Sequence, residues 1–469
     1  MTILPDELAN RPGPTYRALA DSLADAMATG RLQVGEKLPP QRDLAFRLGV
    51  TVGTVGRAYD LLAQRGLVRG EVGRGTYVLE RTPATASVAP WHEPTEAAAG
   101  GLLDLTANFP APVAAQALLG ELLPIGETAV EVLADLLRYP EVAGTARHRA
   151  AAAAWLDHLG LATDPDRLVL TNGAEGGLAA ALLTLARPGD CILAEALCYS
   201  GLRNLAGRLG QHLEPVGMDE DGLLPEALAS AARHTGARVV VLSPNLQNPT
   251  ASLMPRGRRE AIAEVARSAD LLLIEDDVYG PLVPDRPAGL AELAPERTVH
   301  LSSVSKFLAP GLRLGFLHGP AGLVREITAA QRELSLGHTP LAAELFARAH
   351  RAGVVAEALR QQRLEMTERQ RLAAELLAGL ELGRQPTALH VWLTLPEPWT
   401  SVEAALTLAR SGVLVAPAER FFLGRGAIPR AVRVSLSAPP TRTHLRLALQ
   451  RIAAAMSAST AGIGTASLV

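Results

Sequence analysis

The feature that most limits the fold of this chain is a series of short, nearly continuous apolar runs between residues 167 and 318. Such runs are typical of strands that are covered on both faces. Helical stretches such as residues 175–186 and 256–268 separate most of them. This alternation predicts an α/β fold with a mainly parallel, doubly wound sheet, and places strands at residues 167–171, 191–195, 238–243, 271–275, 298–302 and 315–318.

Composition divides the chain into sections. Residues 1–80 form a small, locally basic unit, and residues 81–101 are rich in Ala, Pro, Thr and Glu, which is typical of a linker. The α/β pattern occupies residues 102–456. The small and polar residues 457–469 predict a frayed, disordered tail.

Overall charge and cysteine content limit what can be inferred about binding partners and cellular compartment. The formal net charge of −3 gives no whole-chain argument for nucleic-acid binding, so any such argument must be local. Two cysteines, Cys191 and Cys198, provide no disulfide framework and indicate a reducing cytoplasm. We expect no signal peptide, no membrane span and no metal site.

The small unit combines helices with a local excess of positive charge. Helical patterns cover residues 16–28, 41–48 and 51–65, with Thr51 placed to cap the third helix. Residues 67–69 and 76–78 predict a two-stranded hairpin. Between Arg31 and Leu79, eight Lys/Arg and four Asp/Glu give a net charge of +4. Charge and helices alone favour a DNA-binding helix-turn-helix and a small protein-interaction module equally.

Residues 35–45, 48–66 and 73–78 resemble the winged helix-turn-helix of GntR-type bacterial transcription regulators. The resemblance implies that DNA is the partner. The chain departs from the family where Thr51-Val52 replaces the usual Ser-Arg at the start of the recognition helix, and where Gly53 and Gly56 weaken that helix. The DNA-contacting residues that the resemblance implies are Arg42, Thr51, Thr54, Arg57, Arg74 and Gly75.

Lysine is nearly absent from the chain. Of the 45 basic residues, 43 are arginine and two are lysine, namely Lys37 and Lys306. Arginine cannot form a Schiff base because its guanidinium stays protonated, whereas a lysine amine can. Lys306 follows a predicted strand, and its surroundings favour a lysine that binds pyridoxal 5′-phosphate (PLP) over an ordinary surface lysine.

PLP also requires a carboxylate at its pyridine nitrogen, donors to its phenolic oxygen, a stacking ring and a phosphate-binding turn. Each candidate also has a plain structural interpretation: an acidic loop, an Asn-Pro turn, a core tyrosine or a glycine before a helix. The candidates are Asp276 for the carboxylate, Asn248 and Tyr279 for the donors, Tyr199 for the ring, and Gly173, Ala174, Glu175, Ser303, Ser305 and Arg313 for the phosphate.

Residues 303–315, with residues 248–250 and the pair Asp276 and Tyr279 in the expected order, resemble the class I aminotransferases, which are fold type I PLP enzymes. The resemblance covers about residues 104–437 and implies a smaller C-terminal α+β part. It implies that Arg433 binds a substrate carboxylate. It also implies that Tyr139 reaches the phosphate of a partner subunit in a homodimer. The departures are Ala174 and Glu175 after the turn glycine, Ala251 after Asn-Pro-Thr, and Leu197 before Tyr199.

A GntR-type unit joined to an aminotransferase-like domain is similar to the MocR subfamily of regulators. This resemblance implies a PLP-dependent transcription regulator in which an amino acid or amine forms an external aldimine and thereby alters DNA binding. Two alternatives remain open from the sequence. One is a working aminotransferase with an accessory DNA-binding unit, because nothing in the residues forbids turnover. The other is a sensor of PLP itself.

Overall fold

The computed structural model describes residues 15–28, 31–33, 35–64, 67–71, 75–78, 101–122, 137–424 and 426–463. The chain separates into two compact units, Met1–Glu93 and Pro94–Val469. The predicted linker lies outside the described residues except for Gly101, as do residues 464–469 of the predicted tail.

The small unit contains three helices and a hairpin: α1 (Thr15–Ala28), α2 (Gln41–Leu48), α3 (Val52–Gln64), β1 (Val68–Glu71) and β2 (Gly75–Val78). Gly49 ends α2 with a φ of 66°, a left-handed conformation that glycine adopts without strain. The Thr51 Oγ1 atom then accepts a hydrogen bond of 3.2 Å from the Thr54 N–H, and so caps α3. Buried apolar residues from all three helices and both strands form one core, so the predicted winged helix-turn-helix elements are present.

The large unit begins with β3 (Leu103–Asp104) and a 3₁₀ helix at Ala114–Leu122. Its helices are α4 (Ala146–His158), α5 (Gly173–Leu185), α6 (Ser200–Arg208), α7 (Pro225–Thr235), α8 (Arg256–Ser268), α9 (Leu290–Leu293), α10 (Ala321–Ser335), α11 (Pro340–Arg351), α12 (Val354–Leu376), α13 (Ser401–Arg410) and α14 (Arg442–Ile463). Short 3₁₀ helices lie at Pro165–Arg167, Gly280–Leu282, Pro310–Leu312 and Ala418–Arg420.

The remaining strands of the large unit are β4 (Leu168–Asn172), β5 (Cys191–Glu195), β6 (His212–Val216), β7 (Met218–Asp219), β8 (Gly222–Leu223), β9 (Val239–Leu242), β10 (Leu272–Asp276), β11 (Thr298–Ser303), β12 (Leu314–His318), β13 (Leu382–Gly383), β14 (His390–Thr394), β15 (Val413–Leu414), β16 (Ala416–Pro417) and β17 (Ala431–Ser435). Helix α14 continues past Ser457 to Ile463, so the frayed tail predicted from Ser457 is helical over this stretch. Its Ala, Ser and Thr residues simply prolong the helix that precedes them.

The main sheet has seven strands in the order β4-β12-β11-β10-β9-β5-β6. All neighbours pair in parallel except β12, which is antiparallel to both β11 and β4. Alternate residues of the strands enter different apolar clusters: Ile192 packs in the cluster that contains α5 and α10 residues, and Leu193 in the one that contains α7 and α8 residues. The sheet is therefore covered on both faces, as the apolar runs predict.

Strand β6 at the sheet edge was missed by the sequence prediction. Its residues alternate between exposed and partly buried, and it contains a charged residue and a proline, so it lacks the apolar run of an inner strand. A second sheet of four antiparallel strands, in the order β13-β14-β17-β16, belongs to the C-terminal part. It carries Arg433 on β17 and His390 on β14.

Candidate functional site

Lys306 lies in the turn between β11 and β12, at the edge of the main sheet where the parallel strands end. Its Nζ atom donates a hydrogen bond of 3.2 Å to the main-chain oxygen of Asn108. It also lies 5.6 Å from the centre of the Tyr279 ring. Lys306 is partly buried. Within the described residues, the direct contacts of its amine are this uncharged acceptor and this ring, although its charge also acts on Asp276.

Three consecutive acidic residues lie at the end of β10 and directly after it, and their partners differ. Glu275 accepts hydrogen bonds from the Leu290 and Ala291 N–H groups. Asp277 accepts from Asn245 Nδ2 at 2.6 Å and pairs with His300 Nε2 at 3.1 Å. Asp276 accepts only a long bond of 3.5 Å from the Val278 N–H within the described part of the chain. Asp276 is thus the carboxylate that remains available to a ligand.

The pKa of Asp276 is raised to about 6, chiefly by burial and also by the neighbouring charge of Asp277, while the Val278 N–H and the charge of Lys306 act in the opposite direction. The folded pKa is above the unfolded value, so this group stabilises the fold below about pH 4 and loses that contribution as the pH rises through 6. In the cofactor-free protein, we expect the unfolding free energy of the wild type to fall by about 2 kcal/mol relative to Asp276→Asn between pH 4 and pH 7. Urea denaturation at several pH values measures this difference, and parallel curves for the two proteins would refute it.

Arg433 is buried on β17 beside Asn248. Its Nη1 atom donates to Asn248 Oδ1 at 2.6 Å, and its Nη2 atom donates to the main-chain oxygen of Thr106. The guanidinium carbon lies 4.9 Å from the centre of the Phe421 ring. Burial lowers its pKa to about 10. The buried Nε atom finds no hydrogen-bond partner among the described residues, so this guanidinium retains a donor for an anionic ligand.

Tyr199 follows β5 and precedes α6. Burial raises the pKa of its hydroxyl, and the nearby charges of Glu175 and Asp276 add to the increase. The ring of Tyr199 occupies the space in which a Cβ atom of residue 201 would lie. Gly201 is therefore required by the position of this ring, which is a constraint that the sequence prediction missed.

The turn between β4 and α5 contains Gly173, Ala174 and Glu175, which the sequence predicts to bind phosphate. Gly173 begins α5 with a φ of 71°, and Thr171 Oγ1 donates to its main-chain oxygen at 2.8 Å. A Cβ atom on Gly315 of β12 would lie 2.5 Å from the Gly173 carbonyl carbon and 2.7 Å from the Ala174 nitrogen. Glycine at 315 therefore lets the two backbone segments approach closely, and the first N–H groups of α5 have the arrangement that binds phosphate.

Side chains from the β11–β12 connection lie beside this turn. Arg313 Nη2 lies 3.5 Å from the Asn172 main-chain oxygen and 4.0 Å from a Glu175 carboxylate oxygen. Ser303 Oγ accepts from the Ser305 N–H at 3.3 Å. The structure thus brings the predicted phosphate residues to one edge of the sheet. It also shows that Glu175 places a negative charge near Arg313.

The arrangement fits PLP on two structural observations. The turn has glycine where any Cβ would close it, and Arg433 has a buried donor with no described partner. Residues that would hold the cofactor are Lys306, Asp276, Tyr279, Asn248, Tyr199, Gly173, Ala174, Ser303, Ser305 and Arg313. Tyr139 is different: it is 86% exposed, and no hydrogen bond or ring contact joins it to these residues within residues 137–424.

Of the predicted DNA-binding residues that the structure describes, Arg42 lies on α2, Thr54 and Arg57 lie on α3, Thr51 caps α3 and Gly75 begins β2. The side chains of Arg42, Thr51 and Arg57 are exposed, and Thr54 is partly exposed. The hydroxyls of Thr51 and Thr54 lie 2.9 Å apart. Arg74 lies outside the described residues. Gly75 has a φ of 121°, and Lys37 occupies the space that its Cβ would need, so Lys37 packs against the hairpin.

Two family models match the chain. Aminotransferase class I and II matches residues 98–452, and the family of bacterial regulatory proteins called gntR matches residues 15–78. The chain is 32% identical over 436 residues to the uncharacterized HTH-type transcriptional regulator YdeF of Bacillus subtilis (strain 168), covering 93% of each protein. The chain is a GntR-type transcription regulator of the MocR subfamily.

This MocR regulator is also 28% identical to the vitamin B6 salvage pathway transcriptional repressor PtsJ of Salmonella typhimurium (strain LT2), over 91% of the chain and 95% of that protein. Its large unit has the fold of PLP aminotransferases. The crystal structure of an archaeal alanine:glyoxylate aminotransferase matches 78% of the chain and 93% of that enzyme, with a TM-score of 0.70 and 24% identity. The combined architecture expected from the sequence is thereby confirmed.

Several site residues of the MocR regulator were missed by sequence reasoning. Asn108 and His390 lie beside Tyr279, while Gly201 and Gly315 provide space for the ring and the turn. Gly315 is the last residue of the lysine motif, 303–315, that the sequence analysis identified. Nothing in the sequence indicated that it would lie against the backbone of Gly173 and Ala174. Over the described ranges, no helix has the length and apolar character needed to cross a membrane.

Proposed function

We propose that this regulator binds PLP on Lys306 and senses an amino compound that displaces the lysine from the cofactor. The observation that carries the proposal is the buried Arg433 guanidinium, whose Nε atom has no hydrogen-bond partner among the described residues. In the same site, Lys306 Nζ lies 5.6 Å from the centre of the Tyr279 ring. PLP supplies an aldehyde that bonds to amines and a ring that accepts electrons. Asp276 would hold the proton of its pyridine nitrogen, and Asn248 Nδ2 would donate to its phenolic oxygen.

Arg433 indicates the class of effector. Its planar donor fork suits a carboxylate, and burial strengthens such a bond. Asn248 Oδ1 and the Thr106 oxygen hold the guanidinium in place. We therefore propose an amino acid as the effector: its amine would replace Lys306, and its carboxylate would bind Arg433. An amine without a carboxylate would leave the Nε donor unpaired.

The output of the regulator is binding to an operator DNA. The exposed Arg42 and Arg57 suit contacts with the DNA backbone and bases. An effector that favours one conformation of the large unit shifts the population of DNA-binding states by the difference in its affinity for them. We place the protein in the cytoplasm, where a DNA-binding regulator with two unpaired cysteines functions.

We also propose that the regulator is a homodimer. A group of exposed apolar side chains lies on residues 137–142 and 334–341, and includes Leu137, Tyr139, Leu334, Leu336 and Leu341. The two segments are adjacent, because a Cβ atom on Gly337 would lie 3.3 Å from Val142 and 3.4 Å from Pro140. A second copy would cover this patch, and Tyr139 would then reach the phosphate of the partner.

Two other functions have specific support. Lys306, Asp276 and Arg433 are the groups that transamination would use, so aminotransferase activity is the second candidate. Sensing of PLP itself is the third, since the relative PtsJ is named for a vitamin B6 pathway. The three candidate functions differ in what happens after the cofactor binds, so a spectroscopic titration distinguishes between them.

The test is the visible spectrum of the purified full chain after PLP is added, followed by titration with a panel of amino acids and amines. We expect a band from lysine-linked PLP that one amino acid shifts stably, together with a change in operator affinity. A band that bleaches and returns with a keto acid would identify an active aminotransferase. An operator response to PLP with no response to amino compounds would identify a PLP sensor, and the absence of any band would refute the proposal.

A further inference from the structure

Asn108 lies in the loop after β3 and is 6% exposed. It makes three contacts with residues of the candidate site. Its main-chain oxygen accepts from Lys306 Nζ at 3.2 Å, and its Nδ2 atom donates to the Tyr279 hydroxyl oxygen at 3.1 Å. The same Nδ2 atom lies 2.8 Å from His390 Nδ1. One residue thus contacts both the lysine and the tyrosine of the proposed PLP site.

The protonation of His390 determines how Asn108 is oriented. His390 is fully buried, and its Nε2 atom lies 3.2 Å from the main-chain oxygen of Gln247, which can only accept. Nε2 therefore carries the proton. Burial, and then the positive charges of Arg433 and Lys306, lower the pKa of His390 to about 3, so the ring is neutral. Nδ1 must accept, and the Asn108 amide must present its NH₂ group.

The consequence concerns the tyrosine proton. The Tyr279 oxygen accepts one hydrogen of the Asn108 amide, so its own hydrogen is free to point elsewhere. Accepting a hydrogen bond also makes a hydroxyl a stronger donor. We propose that Asn108, oriented by His390, is a positioning residue that fixes the Tyr279 hydroxyl as a donor to the phenolic oxygen of PLP. This inference rests on the proposed function, since it requires PLP at Lys306.

A donor at the phenolic oxygen stabilises negative charge there. That charge is greatest when the nitrogen joining Lys306 to PLP has lost its proton, so the hydrogen bond favours the deprotonated linkage. Removing Asn108 should therefore raise the pH at which the linkage loses its proton. The other titratable groups around the linkage are Asp276, Tyr199, Tyr279, His390 and Arg433. The variants described below retain all of these groups, except that Tyr279→Phe and His390→Phe each remove one.

The experiment is a pH titration of the visible spectrum of the PLP-loaded full chain. We expect Asn108→Ala to raise the midpoint by about one pH unit, which is the scale of one hydrogen bond to a charged group. Tyr279→Phe should raise it at least as much. In the double variant, the loss of Asn108 should add nothing, because its effect acts through the Tyr279 hydroxyl. An equal shift from Asn108→Ala in the Tyr279→Phe background would overturn the inference.

Two further variants keep the test decisive. Gln211→Ala removes another buried amide, which donates to the Leu182 and Ala186 oxygens at 2.9 Å each, and should leave the midpoint unchanged. If Asn108→Ala does not bind PLP, His390→Phe decides, since it removes the acceptor that orients Asn108 and should raise the midpoint. An unchanged midpoint in His390→Phe refutes the inference. Failure of the wild type to form a visible band refutes instead the proposed function.

Discussion

Replacing Lys306 with arginine is expected to abolish the covalent attachment of PLP. Arginine keeps the positive charge and can donate to the Asn108 oxygen, but its guanidinium does not bond to an aldehyde carbon. After borohydride reduction and proteolysis of the PLP-loaded protein, mass spectrometry should find the cofactor on the Lys306 peptide of the wild type and on no peptide of Lys306→Arg. The visible band and the response of operator binding to amino acids should disappear with it.

The composition of the chain supplies the control. Lys37 is the other lysine of the sequence, and it packs against the hairpin of the small unit. Lys37→Arg should retain the visible band and the labelled Lys306 peptide at wild-type yield. A label that appears on Lys37, or a full band in Lys306→Arg, would contradict the assignment of the cofactor lysine.

The second large effect is expected for Gly315→Ala. A Cβ at this position would lie 2.5 Å from one backbone atom and 2.7 Å from another, both at the start of α5. Backbone cannot move aside as a flexible side chain does, so the strain should be about 1–3 kcal/mol. We expect PLP to bind about tenfold to a hundredfold more weakly, as measured by equilibrium titration of the cofactor band.

Gly322→Ala is the matched control for this variant. Gly322 lies on α10, where no atom comes within 4 Å of an added Cβ. Alanine there should leave PLP affinity unchanged and stabilise the helix by about 0.5–1 kcal/mol. If both variants bind PLP as the wild type does, the close approach of β12 to the phosphate turn has no role in cofactor binding.

The sequence predicted most strands of the main sheet because inner strands are apolar on both faces, as β9 and β11 are. It did not predict β6, because the residues of this strand alternate between exposed and partly buried and include a charged residue and a proline. Lys306 and Asp276 could be selected because each follows a predicted strand and has a side chain suited to PLP. Those site residues come from one region of the chain, and the order of the sheet brings them together.

Asn108 and His390 could not be found in this way. They are separated by 282 positions in the sequence and meet only when the second sheet packs near the lysine turn. An asparagine in a loop and a histidine in an apolar strand carry no signal of their own. The same applies to Gly201 and Gly315, whose importance depends on a ring and a backbone that pack against them.

The antiparallel strand β12 has a mechanical consequence. Ser303 of β11 pairs with Gly315 of β12, and Gly315 pairs in turn with Thr171 of β4. The turn that carries Lys306 is thus anchored at both ends to the ladder that carries the phosphate turn. A ligand that bound Lys306 would therefore act on a turn whose ends are hydrogen-bonded, through β12, to the strand that leads into α5. The same backbone pairing fixes the lysine turn and the start of α5, so we expect these two parts of the proposed site to move together.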